Sequence, residues 1–328
     1  MANARLNLAA HLESLHPPDI RPSLRKEVIP ALVKAIHEVA EALRESDTVS
    51  QVGTANAFGD DQLNVDVLAE KIIRTTIAKC SSIRTASSEE DPEERPARLA
   101  DEGICQPGTE QYTVAFDPLD GSSIIAPNWT VGTIIGIWDG TTALHEKPKD
   151  KLVAAILGLQ GPRTTAIIAL RIPGTAANCF EVAVNGQRIT VIRPRVQFQS
   201  EPFKTRYFSP ANLRAAAEDE KYLNLVSEYI KNKYTLRYSG GLVPDVVHAL
   251  VKGHGVYISP VNAVSDAKLR RLYELTPIAL IVECAGGLAI DPQDGEDILG
   301  RAIDNCDERG GLVCGTAAEV ENVRKALL

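Results

Sequence analysis

Residues 113–123 read Thr-Val-Ala-Phe-Asp-Pro-Leu-Asp-Gly-Ser-Ser, an apolar β-type run ending in two carboxylates and a turn of small residues. Asp117 and Asp120 cannot share a water-poor pocket unaided, because buried anions repel and each loses its hydration. A divalent cation between them removes both penalties. Pro118 is expected to stop the strand, leaving the Leu119 carbonyl as a third oxygen ligand. Gly121 lets the chain turn so that the amides of Ser122 and Ser123 face one point, where an oxyanion fits. Hard oxygen ligands suit Mg2+, or Mn2+, rather than zinc, which asks for His or Cys. Standing alone, the string also fits an Asx-type turn closing a β-hairpin, with both aspartates in water.

Upstream, Ser87-Ser88-Glu89-Glu90-Asp91 follows the short stretch Ser82-Ile83-Arg84-Thr85 and so also stands at a strand end. By itself Glu89-Glu90-Asp91-Pro92-Glu93-Glu94 reads as a solvated acidic loop. Paired with Asp117 and Asp120, it becomes part of a phosphoryl-transfer centre built on two metal ions. Asp66 begins a helix-patterned segment, and Glu283 lies in the apolar run Leu280-Ile-Val-Glu-Cys-Ala-Gly-Gly287. A first-turn aspartate also serves as a helix cap, and a late acid can reach the surface. A carboxylate buried between Val282 and Cys284 needs a partner, however, and a metal is one.

With these motifs the chain resembles the fructose-1,6-bisphosphatase and sedoheptulose-1,7-bisphosphatase group of sugar phosphatases. Phe116-Asp-Pro-Leu-Asp-Gly-Ser-Ser123 and Ser88-Glu-Glu90 are joined by Val65-Asp-Val-Leu-Ala69, Val131-Gly-Thr-Ile134, Ala267-Lys-Leu-Arg270 and Glu283-Cys-Ala-Gly-Gly287, in the family's order from about residue 24 onward. Asn128-Trp-Thr-Val-Gly132, Phe208-Ser-Pro-Ala-Asn-Leu-Arg214 and Tyr234 to Asp245 lean toward the sedoheptulose branch. The resemblance implies an α/β fold of mixed sheets layered α-β-α-β-α, with the active site between the halves. Residues 1–195 would be the metal-binding half, and 196–328 the half that binds the sugar and second phosphate.

The same resemblance implies two or more Mg2+ per site. Glu89 bridges them, Asp117 and the Leu119 carbonyl hold one, and Asp120 and Glu283 hold the other. Asp66 and Glu90 are left as a carboxylate pair that positions and deprotonates the attacking water, one of them with a raised pKa. The remote phosphate falls to Arg237, Tyr238 and Lys268 with Asn212 and Arg214, and Gly240-Gly241 lets backbone approach the ligand. Those glycines equally fit a turn leading into a helix before Pro244, Asn212 a helix cap, and Lys268 and Arg214 solvated helix charges.

The implied reaction is release of the 1-phosphate of sedoheptulose 1,7-bisphosphate. Fructose 1,6-bisphosphate is a second substrate or, in the alternative, the main one. Ser259-Pro260, Leu213 and Arg214 stand where the fructose enzymes usually carry tyrosines. An inositol-monophosphatase type of activity shares the paired-acid logic but needs no second-phosphate grip, and a silent metabolite-binding protein needs no acid set. In the animal enzymes AMP is held by a lysine and an arginine where this chain has Gln111 and Asp139; an aspartate there repels a phosphate, so no AMP inhibition is expected. The family association implies a homodimer or homotetramer, with Arg237 reaching across an interface.

Bulk properties agree with a globular enzyme: 328 residues, 44% apolar and 24% charged, suffice for one large or two ordinary domains with buried cores. The net charge is −8 with no Lys/Arg-rich run, which argues against nucleic acid as a partner. No run reaches the roughly 18 to 20 apolar residues of a membrane helix. Six scattered cysteines without a C-x-x-C, the closest pair being Cys306 and Cys314, speak against zinc and disulfide frameworks. No targeting signal is evident at the N-terminus, so a cytoplasmic enzyme with reduced thiols is expected.

The positioning elements follow from periodicity. Apolar residues at 28, 29, 32, 33, 36, 39, 40 and 43 predict a helix that Pro30 starts or kinks, and those at 65, 68, 69, 72, 73 and 77 a helix over 64–79 with Asp66 in its first turn. Strand-like runs follow at 112–116, 131–138, 152–159, 164–171, 178–184 and 187–193. Beyond Pro194 helices are expected near 219–231, 243–251 and 267–285, alternating with strands near 254–258, 287–291 and 311–314. A last helix is opened by Thr316-Ala-Ala-Glu319, read as a capping box.

Overall fold

A computed structural model describes residues 6–55, 61–98, 109–262 and 265–328. The stripe at 28–43 forms a π-turn, Leu24–Val28, that runs into a helix with Pro30 in its first turn, where a missing N–H costs nothing. This helix is α2 (Ile29–Glu45); α1 (Leu8–Leu15) precedes it, and α3 (Asn64–Ile77) carries Asp66 in its first turn.

Eight strands form the large sheet: β1 (Ile83–Ser88), β2 (Arg95–Pro96), β3 (Tyr112–Asp120), β4 (Val131–Asp139), β5 (Leu152–Gln160), β6 (Thr164–Leu170), β7 (Asn178–Asn185) and β8 (Arg188–Arg193). Their order is β8-β7-β6-β5-β4-β3-β1-β2, antiparallel throughout except where β1 runs parallel to β3. The central strands are buried on both faces, so they read as continuous apolar runs such as Leu152-Val-Ala-Ala-Ile-Leu157 rather than as alternation. One face packs on α1–α3 through Leu12, Ile36 and Ile73. The other packs on α5 (Leu242–Lys252) and α6 (Thr276–Cys284) through Val243, Val246 and Leu280.

Those two helices also cover a second sheet. It comprises β9 (Tyr207–Pro210), β10 (Thr235–Leu236), β11 (Val256–Ser259), β12 (Leu288–Ile290) and β13 (Leu312–Gly315), in the order β10-β9-β11-β13-β12. Its outer face packs on α4 (Glu220–Lys231) and α7 (Ala317–Leu327) through Phe208, Tyr222, Val313 and Val320. The expected α-β-α-β-α layering is therefore present, with mixed strand direction in both sheets. No helix among the described residues is long and apolar enough to cross a membrane.

Three local expectations fail for identifiable reasons. The helix expected from residue 267 begins later, because Leu269 and Arg270 pair antiparallel with Gly310 and Arg309, and a π-turn (Arg271–Leu275) intervenes before α6. The Thr316 capping box does not form: Thr316 Oγ1 accepts from the Gly255 amide at 3.1 Å, and Glu319 turns to Tyr234 and His254. Pro118 does not stop its strand, and the chain continues in β3 as far as Asp120.

Candidate active site

In a regular strand, residues three apart point to opposite faces. Asp117 pairs with Ile134 and Asp120 with Gly132, so three steps on β3 oppose two on β4. This bulge absorbs the extra residue and returns both aspartates to one face. Proline suits such a position because no ladder hydrogen bond is asked of it. The bulge is held on two sides: the Leu119 amide donates to Asp117 Oδ1 at 2.9 Å, and Thr133 Oγ1 donates to the Pro118 carbonyl at 3.0 Å. Asp120 is gripped from the middle helix layer. The amides of Leu242 and Val243, the first residues of α5, donate to its two oxygens at 3.1 and 2.6 Å. Close approach depends on Gly132, since a Cβ there would lie 2.3 Å from that of Val243.

The third acid of this cluster is Glu274. One oxygen from each of Asp117, Asp120 and Glu274 lies within 4.8 Å of the others, and all three residues are buried. Glu283, assigned to this place on sequence, is not there: its carboxylate accepts from Arg171 Nη1 at 2.9 Å and faces Asp297 and Lys149. The two glutamates stand nine positions apart, roughly 13 Å along a helix axis, so both cannot ligate one ion. The argument applied to Glu283, an acid in an apolar run, holds equally for Glu274 in Arg271-Leu-Tyr-Glu-Leu275, and would have found it.

The acidic loop reaches the cluster because β1 and β3 run the same way, with Ser88 opposite Phe116. The Glu89 amide donates to the Phe116 carbonyl at 3.1 Å, and the Glu89 carboxylate accepts from Arg270 Nε at 3.1 Å. Arg270 is 1% exposed and also donates to Asp307 at 2.8 Å. Asp66 Oδ2 accepts from the Leu63 amide at 3.0 Å, the cap foreseen as its alternative role, while its buried Oδ1 has no partner. Glu90 takes a hydrogen bond from Gln62 and is close enough to Asp66 to affect its titration.

Without a balancing cation these groups cling to protons. Burial first, then Glu89 and the neighbouring acids, holds Asp117 and Glu274 well above the usual carboxylate range. Burial pushes Asp120 up to about 7 against the pull of its two backbone donors, and pushes Asp66 up to about 7 with help from Glu90 and Glu89. Asp117, Asp120 and Glu274 together offer a set of buried hard oxygens that could hold a metal ion in place of those protons.

The small-residue turn sits next to the bulge. Gly121 has φ 99°, and Ser122 and Ser123 open a short helical turn, where first-turn amides have no partner within the helix. The Gly240-Gly241 turn touches this one: Cβ atoms at Gly240 and Gly241 would come within 3.3 and 3.0 Å of Ile124. Asn212, in the left-handed region at φ 49°, bonds the Tyr238 hydroxyl through its backbone, with Arg214 alongside. Arg237 is not gathered with them, because adjacent residues of an extended segment point apart; its guanidinium lies over the Tyr207 ring at 5.7 Å. Lys268 is exposed, two positions before Arg270.

At the far end of β4, opposite Tyr112, Asp139 is bonded by both Arg21 Nη atoms, at 2.7 and 2.5 Å. Its charge is thus balanced. The anion already in place there is Glu110, whose carboxylate accepts from the Ser23 and Leu24 amides at 2.9 and 3.1 Å.

The chain matches the model of the fructose-1,6-bisphosphatase N-terminal domain over residues 19–190 and that of the C-terminal domain over residues 202–328. It is 37% identical over 303 residues to the chloroplastic sedoheptulose-1,7-bisphosphatase of Spinacia oleracea, covering 90% of this chain and 74% of that one. It is 34% identical over 318 residues to the class 1 fructose-1,6-bisphosphatase of Syntrophotalea carbinolica, covering 92% and 91%. A Toxoplasma gondii crystal structure with the provisional name sedoheptulose-1,7 bisphosphatase is 32% identical, with a TM-score of 0.85 and 98% of both chains covered.

Proposed function

Since the chain belongs to the fructose-1,6-bisphosphatase family and is a sugar bisphosphatase, a phosphoric monoester hydrolase, we propose that it is Mg2+-dependent and prefers sedoheptulose 1,7-bisphosphate. It releases the 1-phosphate and leaves sedoheptulose 7-phosphate, with fructose 1,6-bisphosphate as a second substrate. The observation that carries this reading is the buried cluster of Asp117, Asp120 and Glu274 beside Glu89. The substrate preference is supported by the relative at 37% identity, and by Ser259, Leu213 and Arg214 where the family resemblance leads one to expect tyrosines in the fructose enzymes.

Asp117, Asp120, Glu274 and Glu89, with the Leu119 carbonyl, would hold Mg2+, which when bound supplies charge neutralisation at the phosphoryl oxygens. The Ser122 and Ser123 amides orient the 1-phosphate. Asp66 Oδ1, buried and unpartnered, takes the proton of the attacking water as the new P–O bond forms and the ester P–O bond breaks, and the departing sugar oxygen takes a proton from solvent and leaves as a hydroxyl. Glu90 keeps that proton near Asp66 by raising its affinity. Asn212, Arg214, Tyr238 and Lys268 grip the far phosphate, with Gly240-Gly241 bordering it and Arg237 serving a neighbouring subunit of a homodimer or homotetramer. The five cysteines among the described residues are free, which suits a reducing compartment such as the cytoplasm.

Phosphate release from sedoheptulose 1,7-bisphosphate, fructose 1,6-bisphosphate and inositol monophosphate, each with Mg2+ and with chelator, tests the reading. The largest kcat/KM is expected for the seven-carbon substrate, with none in chelator. Equal or greater turnover of the monophosphate would overturn it.

A further inference from the structure

The loop bearing Glu89 and Glu90 is closed by hydrogen bonds of its own and braced from outside by helix α3. Glu70 and Arg74 follow Asp66 at one-turn intervals along α3 and so share its face. Ser88, fully buried at the end of β1, donates through Oγ to Glu70 Oε1 at 2.8 Å. The same Oγ accepts from the Asp91 amide at 3.0 Å, and the Ser88 amide donates to the Asp91 carbonyl at 3.1 Å. These bonds close residues 88–91 into a tight loop with Glu89 and Glu90 at its tip. Arg74 completes the frame: Nε bonds Glu70, Nη2 lies 3.3 Å from the Asp91 carboxylate, and the guanidinium sits 5.7 Å from the centre of the Phe116 ring. Phe116 is the residue whose carbonyl takes the Glu89 amide.

An exposed Glu–Arg pair one turn apart on a helix is common and has little consequence. This one differs, because both side chains are spent on a buried serine and on the backbone of the acidic loop rather than on water. Resting on the reading of the site as a metal centre, we propose that Glu70 and Arg74 are positioning residues. They fix the 88–91 loop so that Glu89 and Glu90 meet the buried acids together, and thereby set how tightly the site takes a divalent cation.

The test is Mn2+ binding to the metal-free protein by calorimetry, with no substrate present. Arg74→Met and Glu70→Ala are expected to weaken Mn2+ about 10- to 100-fold, the range seen when groups that orient metal ligands are removed. At saturating metal the KM for sugar bisphosphate should stay within about twofold of wild type, since the substrate contacts are untouched. Glu70→Gln keeps an acceptor oxygen for Ser88 and should retain most of the affinity. Should Arg74→Met fail to fold, Ser88→Ala removes the same relay at the cost of one hydroxyl. Folded variants with wild-type Mn2+ affinity would overturn the positioning role alone. A wild-type protein that takes up no Mn2+ would overturn the metal-centre reading and this inference with it.

Discussion

Metal uptake at this site should expel protons, and the number follows from the spacing of the acids. Asp117, Asp120 and Glu274 each place a carboxylate oxygen within 4.8 Å of the other two. At that separation two unit charges repel by about 3.5 kcal/mol if the effective dielectric constant is about 20. Each charged neighbour therefore raises proton affinity by roughly 400-fold, at about 1.36 kcal/mol per factor of ten. Burial acts in the same direction, so in the metal-free protein Asp117 and Glu274 hold protons well above the usual carboxylate range and Asp120 titrates at about 7. A divalent cation replaces those protons, and its binding at pH 7 should release about two of them, with affinity rising as pH rises. Calorimetric titration of Mg2+ in buffers of different ionisation enthalpy counts them. Glu274→Gln should release about one proton fewer and bind Mg2+ far more weakly. Glu283→Gln, which only frees Arg171, should match wild type on both counts. A count near zero, or a loss confined to Glu283→Gln, would refute the assignment of the cluster.

The same raised affinities act on stability. Asp66, Asp117, Asp120 and Glu274 all titrate higher folded than unfolded. Their contribution is complete below the unfolded values near pH 4 and is lost as pH climbs through the folded ones, about 7 for Asp66 and Asp120, so the Tm of metal-free protein should fall between about pH 5 and 8. Saturating Mg2+ should flatten that slope, and a metal-free Tm that climbs instead would contradict the sign. Asp66→Asn should lower kcat about 100- to 10,000-fold with Mg2+ affinity nearly unchanged, as for loss of a general base; a kcat within a few-fold of wild type would remove Asp66 from that role. Gly132→Ala puts a methyl 2.3 Å from Val243 Cβ and should push α5 off Asp120. The expected cost is about 1–3 kcal/mol in urea unfolding, with weakened Mg2+ binding, and wild-type values for both would show that the close contact is not needed. AMP at physiological levels should leave activity unchanged, because Glu110 already occupies the Ser23 and Leu24 amides; a dose-dependent loss would count against this.

The β-rich first half was legible because strands covered on both faces are written as apolar runs bounded by Gly and Pro, and helices α2 and α3 because their stripes keep the helical period. Asp117 and Asp120 were legible as a pair but not as neighbours on one face, since the bulge that reunites them depends on how β4 pairs with β3. Glu274 escaped because the approach to α6 is irregular: a two-residue bridge and a π-turn carry no simple period. A local signal was there. Pro277 marks a helix start, and that puts Glu274 just ahead of the helix and Glu283 at its far end. Strand β9 has four residues, too few for alternation to show. The Thr316 box misled because both of its side chains had stronger partners elsewhere in the fold.

In the large sheet, the parallel alignment of β1 with β3 decides where charge ends up. Two strands that leave the sheet heading the same way deliver their last residues to a common rim, however much chain lies between them. Rethread the first of them backwards, keeping every acid and the same hydrophobic packing, and Glu89 and Glu90 would be carried to the opposite rim, roughly 20 Å from Asp117 for a strand of this length. A redesign that preserved composition, core and sheet order could thus yield a well-folded protein incapable of hydrolysis, its chemistry erased by a change of heading alone.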